Sequence, residues 1–120
     1  MVMVINLPWP PRSLSPNARI HWARKAKDAK QCRLTAFAQT KLAGVGKGDF
    51  DLPASLKVTC VFAPPDHRRR DLDNMLSACK SLLDGVSDAI GIDDSKWHIA
   101  LRKEAPVKGG SVRIELEQAA

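Results

Sequence analysis

The chain has no tyrosine, and its aromatic residues make up only 5% of it. That excludes the broad base-stacking platforms with which single-strand-binding proteins hold their ligand, because such platforms need successive exposed rings. Cysteine is sparse as well. Cys32, Cys60 and Cys79 stand far apart, form no Cys-x-x-Cys pair and have no histidine at zinc-ligand spacing. An odd number of isolated cysteines does not build a disulfide framework, so buried free thiols in a reducing cytoplasm are expected. No apolar run reaches membrane length. The start, Met1–Pro10, lacks a basic stretch and holds two prolines, which does not suit a secretory signal. A Gly-rich phosphate loop is also missing, which argues against a small-nucleotide phosphoesterase.

What is present suits one domain spanning residues 1–120, with a real though small core. Hydrophobic residues make up 44%, too many for a disordered chain. The net charge of +6 is unevenly spread: residues 1–50 carry +7, residues 51–100 carry −2 and residues 101–120 carry +1. A basic first half beside an acidic cluster suits a polyanionic partner and a metal site. The plainer alternative is a basic domain whose charges only face water.

Short patterns order the chain. Val2–Leu7 reads as a strand ended by Pro8, Pro10 and Pro11. A helix is expected from about Arg19 to Leu42, with Trp22, Ala26, Ala29, Cys32 and Ala36 on one small apolar stripe. Its other faces carry Arg24, Lys25, Lys27, Lys30 and Arg33, and Gly44, Gly46 and Gly48 follow it. Ala54–Phe62 alternates as a half-buried strand with Leu56, Val58, Cys60 and Phe62 on one face. Leu72, Met75, Leu76, Cys79, Leu82, Leu83, Val86 and Ile90 repeat at three and four, which predicts one amphipathic helix closed by Gly91. Trp97–Glu104 and Ser111–Glu117 alternate again, and the short connection between them predicts a hairpin. The order is β-α-β-α-β-β, with two main helices.

The chemistry gathers at Arg68-Arg69-Arg70-Asp71-Leu72-Asp73-Asn74, followed after the helix by Asp93-Asp94. Arginine presents a planar fork of donors that matches phosphate. Magnesium takes one or two carboxylates, with water and phosphate oxygens completing its shell. Asp71 and Asp73 can supply two such carboxylates from a helix start. They can equally act as an N-cap and an offset to the helix dipole. Asp93 and Asp94 come about five helical turns later, roughly 30 Å away on a straight helix. They can join Asp71 and Asp73 only if the loop after Gly91 folds back or a second subunit supplies them.

These residues carry a family resemblance. Leu7-Pro8-Trp9-Pro10-Pro11, the Arg68–Asn74 run and Asp93-Asp94-Ser95 resemble the RusA family of Holliday junction resolvases, found in bacteria and prophages. The resemblance spans nearly the whole chain. It implies a small single-domain α+β fold with a mixed sheet, working as a homodimer in the cytoplasm. It implies a Mg2+-dependent endonuclease that nicks four-way DNA junctions symmetrically, in recombination and repair. The catalytic, metal-binding aspartates it implies are Asp71, Asp73 and Asp94, with Asp93 as a close substitute for the last. Arg68, Arg69 and Arg70 would hold phosphates, and Lys25, Lys27 and Lys30 would bind DNA arms. One departure matters. Family members often carry a lysine four residues after the second aspartate, where this chain has Ser77. Asp73, Ser77 and Lys80 form an i, i+4, i+7 series, so Lys80 is expected either to take that lysine's place or only to face solvent. A non-cleaving branched-DNA-binding protein is the alternative that Ser77 keeps open. His21, His67, His98 and the tryptophans are expected to be structural, with His67 the nearest to a phosphate.

Overall fold

The computed structural model describes residues 2–50 and 55–118. Seven main elements follow in order: β1 (Val2–Pro8), α1 (Trp22–Leu42), β2 (Leu56–Ala63), α2 (Leu72–Ala78), α3 (Lys80–Ile90), β3 (His98–Lys103) and β4 (Ser111–Gln118). Short 3-10 turns sit at Arg12–Leu14 and Asp94–Lys96. Ala54, the expected first residue of the second strand, lies outside the described residues.

The four strands form one mixed sheet in the order β1-β4-β2-β3. β4 runs antiparallel to both neighbours, while β2 and β3 are parallel. This is the small α+β domain that the resemblance implies, with one correction to the expected pairing: β3 and β4 do not form a hairpin. β2 lies between them, and the connection after β3 crosses the end of β2, where Glu104 N donates to Phe62 O (2.8 Å) and Val107 N to Pro64 O (2.9 Å). Burial explains the choice. The inward residues of β4, namely Val112, Ile114 and Leu116, are fully buried and need strands on both sides. β3 is mostly exposed and ends in Arg102-Lys103, which suits a sheet edge.

One face of the sheet makes the core. Ile5, Ile114 and Cys60 sit in one cross-strand row, and Leu7, Val112 and Phe62 in the next. They pack with Cys32 and Ala36 of α1 and with Met75, Leu82, Leu83, Val86 and Ile90 of α2 and α3. Trp97 is buried there too, and its Nε1 donates to Ile92 O at 3.2 Å. Ile99, on β3 at the open edge of the sheet, is half-exposed. The outer face carries charge pairs. Arg113 bonds Glu104 (3.0 and 3.1 Å) and Glu115 (3.1 Å), and Arg102 reaches the same Glu115 (3.2 Å). The three cysteines are free and buried, and burial pushes the Cys60 thiol up to about 11.

α1 begins three residues later than expected. His21 is its N-cap, with Nδ1 accepting from Ala23 N at 3.1 Å. Cys32, Ala36 and Thr40 face inward, while Ala26 is exposed and Trp22 is 74% exposed. The single helix expected from Leu72 to Ile90 is instead two, hinged at Cys79 (φ −93°, ψ 3°). Both pieces keep the expected apolar face, because Met75, Cys79, Leu82, Leu83 and Val86 are all buried.

α1 and α3 touch backbone to side chain at Gly85, where a Cβ would lie 2.2 Å from Arg33 O and 2.7 Å from Ala36 Cβ. Three residues on, Asp88 takes a two-pronged bond from the same Arg33 (2.6 and 2.8 Å). That bond holds the Asp88 carboxyl below its ordinary value. A depressed carboxylate stabilises the fold above its unfolded pKa, and the contribution is lost as pH falls through the folded value. The melting temperatures of wild type and Asp88→Asn should therefore differ at about pH 6, and the gap should shrink as pH falls below the ordinary carboxylate range. A gap that stays constant over that range would mean the pair adds nothing as an ion pair.

Candidate functional site

The arginine run leaves β2 through Pro64-Pro65 and is shaped by Asp66. Asp66 Oδ1 accepts from Arg68 N (3.0 Å) and from Arg70 Nη1 (2.8 Å). Such an aspartate turn lets a side chain stand in for backbone hydrogen bonding. The Arg70 contact, with the Arg68 amide second, holds the Asp66 carboxyl below its usual range. Arg70 also donates to the backbone oxygens of Asp66 and Arg68, both at 3.3 Å. Its guanidinium lies 5.7 Å from the centre of the Trp9 ring. Trp9 is backed by Gly110 (φ +70°), where a Cβ would sit 2.9 Å from the indole. The three arginines are thus not equivalent. Arg70 is built into the loop, while Arg68 (side chain 84% exposed) and Arg69 face solvent. Asp66 was missed in the sequence, although an aspartate two residues before the run is a turn signal.

The proline segment and the arginine loop enclose a cleft of about 560 Å³. Trp9, Pro10, Pro11 and Arg12 form one wall, and Arg68, Arg69, Arg70 and Asp71 the other. Two stretches singled out separately in the sequence therefore meet in space.

Asp71 occupies the N-cap position of α2, but its side chain makes no capping bond. Asp73 lies in the first turn. Neither carboxylate has a hydrogen bond or ion pair among the described residues. The capping role that the sequence allowed for Asp71 is thus left unfilled, and its carboxylate is available. The cleft takes in Asp71 but not Asp73.

The loop after α3 folds back. Gly91 adopts the left-handed conformation (φ 75°) and turns the chain. Ile92 O is then fixed twice, by Ser87 Oγ (2.8 Å) and by Trp97 Nε1 (3.2 Å). This returns Asp94 along α3 to its first residue, where its Oδ2 bonds Lys80 Nζ. Lys80 also bonds Asp84 at 2.8 Å. Those two bonds, Asp84 first, raise the Lys80 pKa, so the ammonium stays charged at neutral pH. Lys80 is therefore an ion-pair centre and not a purely solvated lysine.

The two adjacent acids divide their roles. Asp93 caps the Asp94–Lys96 turn, accepting from Ser95 N (3.1 Å) and Ser95 Oγ. Those bonds hold its carboxyl below the usual range. Asp94 is the one that faces Lys80.

Among the described residues no three His, Cys, Asp or Glu side chains converge as a ready-made metal cage. The donor chemistry nonetheless fits Mg2+. Asp71 and Asp73 are two uncommitted hard oxygen donors, and Mg2+ commonly takes only one or two carboxylates besides water and phosphate. Lys25, Lys27 and Lys30 lie on α1, and the last two are exposed.

Family models give no match to this chain. A protein of Xylella fastidiosa strain Temecula1, named only as uncharacterized, is 41% identical over 93 residues. The alignment covers 78% of this chain and 61% of that protein. The chain thus spans about three-fifths of its relative's length. No helix among the described residues is long and apolar enough to cross a membrane.

Proposed function

We propose that the protein is a Mg2+-dependent endodeoxyribonuclease of the RusA kind, acting as a homodimer on four-way DNA junctions. The observation that carries this reading is the pair Asp71 and Asp73, without hydrogen-bond or ion-pair partners among the described residues, with Asp71 in the wall of a cleft lined by arginines. Asp71 and Asp73 hold the ion, and Asp94 approaches from the folded-back loop. The chemistry that Mg2+ supplies when bound is activation of the attacking water and neutralisation of phosphate charge. Arg68 and Arg69 grip the strand's phosphates with forked donors. Arg70, locked by Asp66 and Trp9, stiffens that grip. Lys25, Lys27 and Lys30 bind the arms through their backbones, so affinity falls steeply with salt. A two-fold dimer matches a junction with two-fold symmetry and cuts paired strands.

The ion pair between Lys80 and Asp94 favours a second reading, a protein that binds branched DNA without cutting it. The two separate on one gel. The protein is incubated with Mg2+ and either a four-way junction or a linear duplex of the same arm sequence. Nicks confined to the junction support the enzyme. Tight junction binding with every strand intact supports the binder and sinks the enzyme.

Within the enzyme reading Lys80 holds Asp94 in reach. Lys80→Met is expected to lower junction cleavage about tenfold while leaving junction binding unchanged. Lys80→Arg, which can still bridge Asp84 and Asp94, should recover part of the loss. Wild-type rates in Lys80→Met would mean the lysine only decorates α3.

A further inference from the structure

We propose that the cleft between the proline segment and the arginine loop is a pocket for one unpaired nucleotide of the substrate strand. Its amides, Asn17 and Asn74, would read the edge of that base. The idea rests on the nucleic-acid reading above and adds a binding site and a source of sequence preference to it.

Three observations carry it. The first is shape. A volume of about 560 Å³ is that of a small-molecule site. A duplex exposes its bases only inside grooves about 6 to 12 Å wide, which a protein enters with a projecting element. A concave pocket can take only a base that has left the stack. The second is the lining. Pro10 and Met75 are buried and give the cleft an apolar floor, while Arg12, Arg68 and Arg69 are exposed and can meet the attached phosphate. Asn17 and Asn74 line the same cleft, and neither amide is hydrogen-bonded among the described residues. An amide offers a donor and an acceptor side by side, as the Watson–Crick edge of a base does. The third is position. Asp71 borders the cleft, so a nucleotide seated there lies beside a proposed metal ligand.

Trp9 does not serve as a stacking plate. Gly110 and Arg70 already pack against its ring. The pocket therefore grips by shape, hydrogen bonds and charge, which is consistent with a chain so poor in aromatic residues.

The test needs neither metal nor cleavage. The 15N-labelled protein is titrated with each of the four deoxynucleoside 5′-monophosphates, with deoxyribose 5-phosphate and with inorganic phosphate. Side-chain amide signals of Asn17 and Asn74 are followed by NMR. The expected result is saturable binding of the mononucleotides, shifts at both amides, and affinities that differ between bases. Asn74→Ala should weaken the preferred mononucleotide by at least about fivefold and leave phosphate affinity unchanged. Equal affinity for inorganic phosphate, deoxyribose phosphate and all four mononucleotides would overturn the proposal, because the arginines alone would then account for binding. Still amides at saturation would overturn it too. Junction cleavage without mononucleotide binding would refute the pocket and leave the enzyme standing. Mononucleotide binding without junction cleavage would do the reverse.

Discussion

Asp73→Asn is expected to bind a four-way junction with affinity within about twofold of wild type, yet cut it at least about 100-fold more slowly. The side chain keeps its size and loses its charge. Asp73 sits in the first turn of α2 with no partner among the described residues, so little structure depends on it. Folding should therefore survive, which thermal melting can confirm. On the proposed reading, removing one anionic oxygen donor would weaken the hold on Mg2+ and the stabilisation of phosphate charge, which is worth several kcal/mol in metal-assisted hydrolysis. Raising Mg2+ should recover part of the rate if the loss is in metal affinity. Wild-type cleavage by this variant would show that the metal is held elsewhere.

Gly85→Ala should have the largest effect on stability. A single methyl group placed 2.2 Å from Arg33 O and 2.7 Å from Ala36 Cβ cannot be accommodated by a side-chain rotation, since one obstacle is backbone. α1 and α3 would have to separate. That would strain the Arg33–Asp88 bond next to it and open the core around Cys32 and Ala36. Overpacking typically costs about 1 to 3 kcal/mol, and a backbone clash belongs at or above the top of that range. For a domain of this size the melting temperature should fall by roughly 10 °C or more. A melt within about 2 °C of wild type would show that the two helices are not held at this distance. α3 also carries Lys80 and Asp84, and the loop after it carries Asp94, so a displaced α3 should reduce cleavage as well.

Much of this was legible in the chain because it is local. The alternation of β2 and β4 marked their inward faces correctly, since Leu56, Val58, Cys60, Phe62, Val112, Ile114 and Leu116 are all fully buried. The repeat through Met75, Cys79, Leu82 and Val86 marked the buried side of α2 and α3. What escaped was set at a distance. A short connection after β3 suggested a hairpin, but pairing went to β2 because β4 has more apolar surface to cover. The hinge at Cys79 carries neither glycine nor proline, so nothing local announces it. Trp22 lies on the expected stripe of α1, yet in the helix's first turn it is 74% exposed, while Thr40 about five turns later on the same side is buried.

The candidate site divides in the same way. Its residue types were visible in the Arg68–Asn74 run, and the adjacent acids pointed to a second contribution. Sequence spacing could not decide between a fold-back and a partner subunit. Gly91, Ser87 and Trp97 fold the loop back by anchoring Ile92, and Asp94 then meets Lys80. In the folded chain Ser95 bonds Asp93 and Lys80 bonds Asp94, a difference that the adjacent acids do not show in sequence. Asp66 and the meeting of Trp9 with Arg70 required the folded loop.

The central claim is metal-dependent hydrolysis at the aspartates beside the arginine loop. The most direct measurement is a time course on an immobile four-way junction labelled on each strand in turn. Three conditions are compared: Mg2+, EDTA, and EDTA followed by excess Mg2+. The expected result is nicks at matching positions in two opposed strands with Mg2+, none in EDTA, and full recovery on adding the ion back. Cutting that persists in EDTA, or a junction that stays bound and intact in Mg2+, would contradict the account.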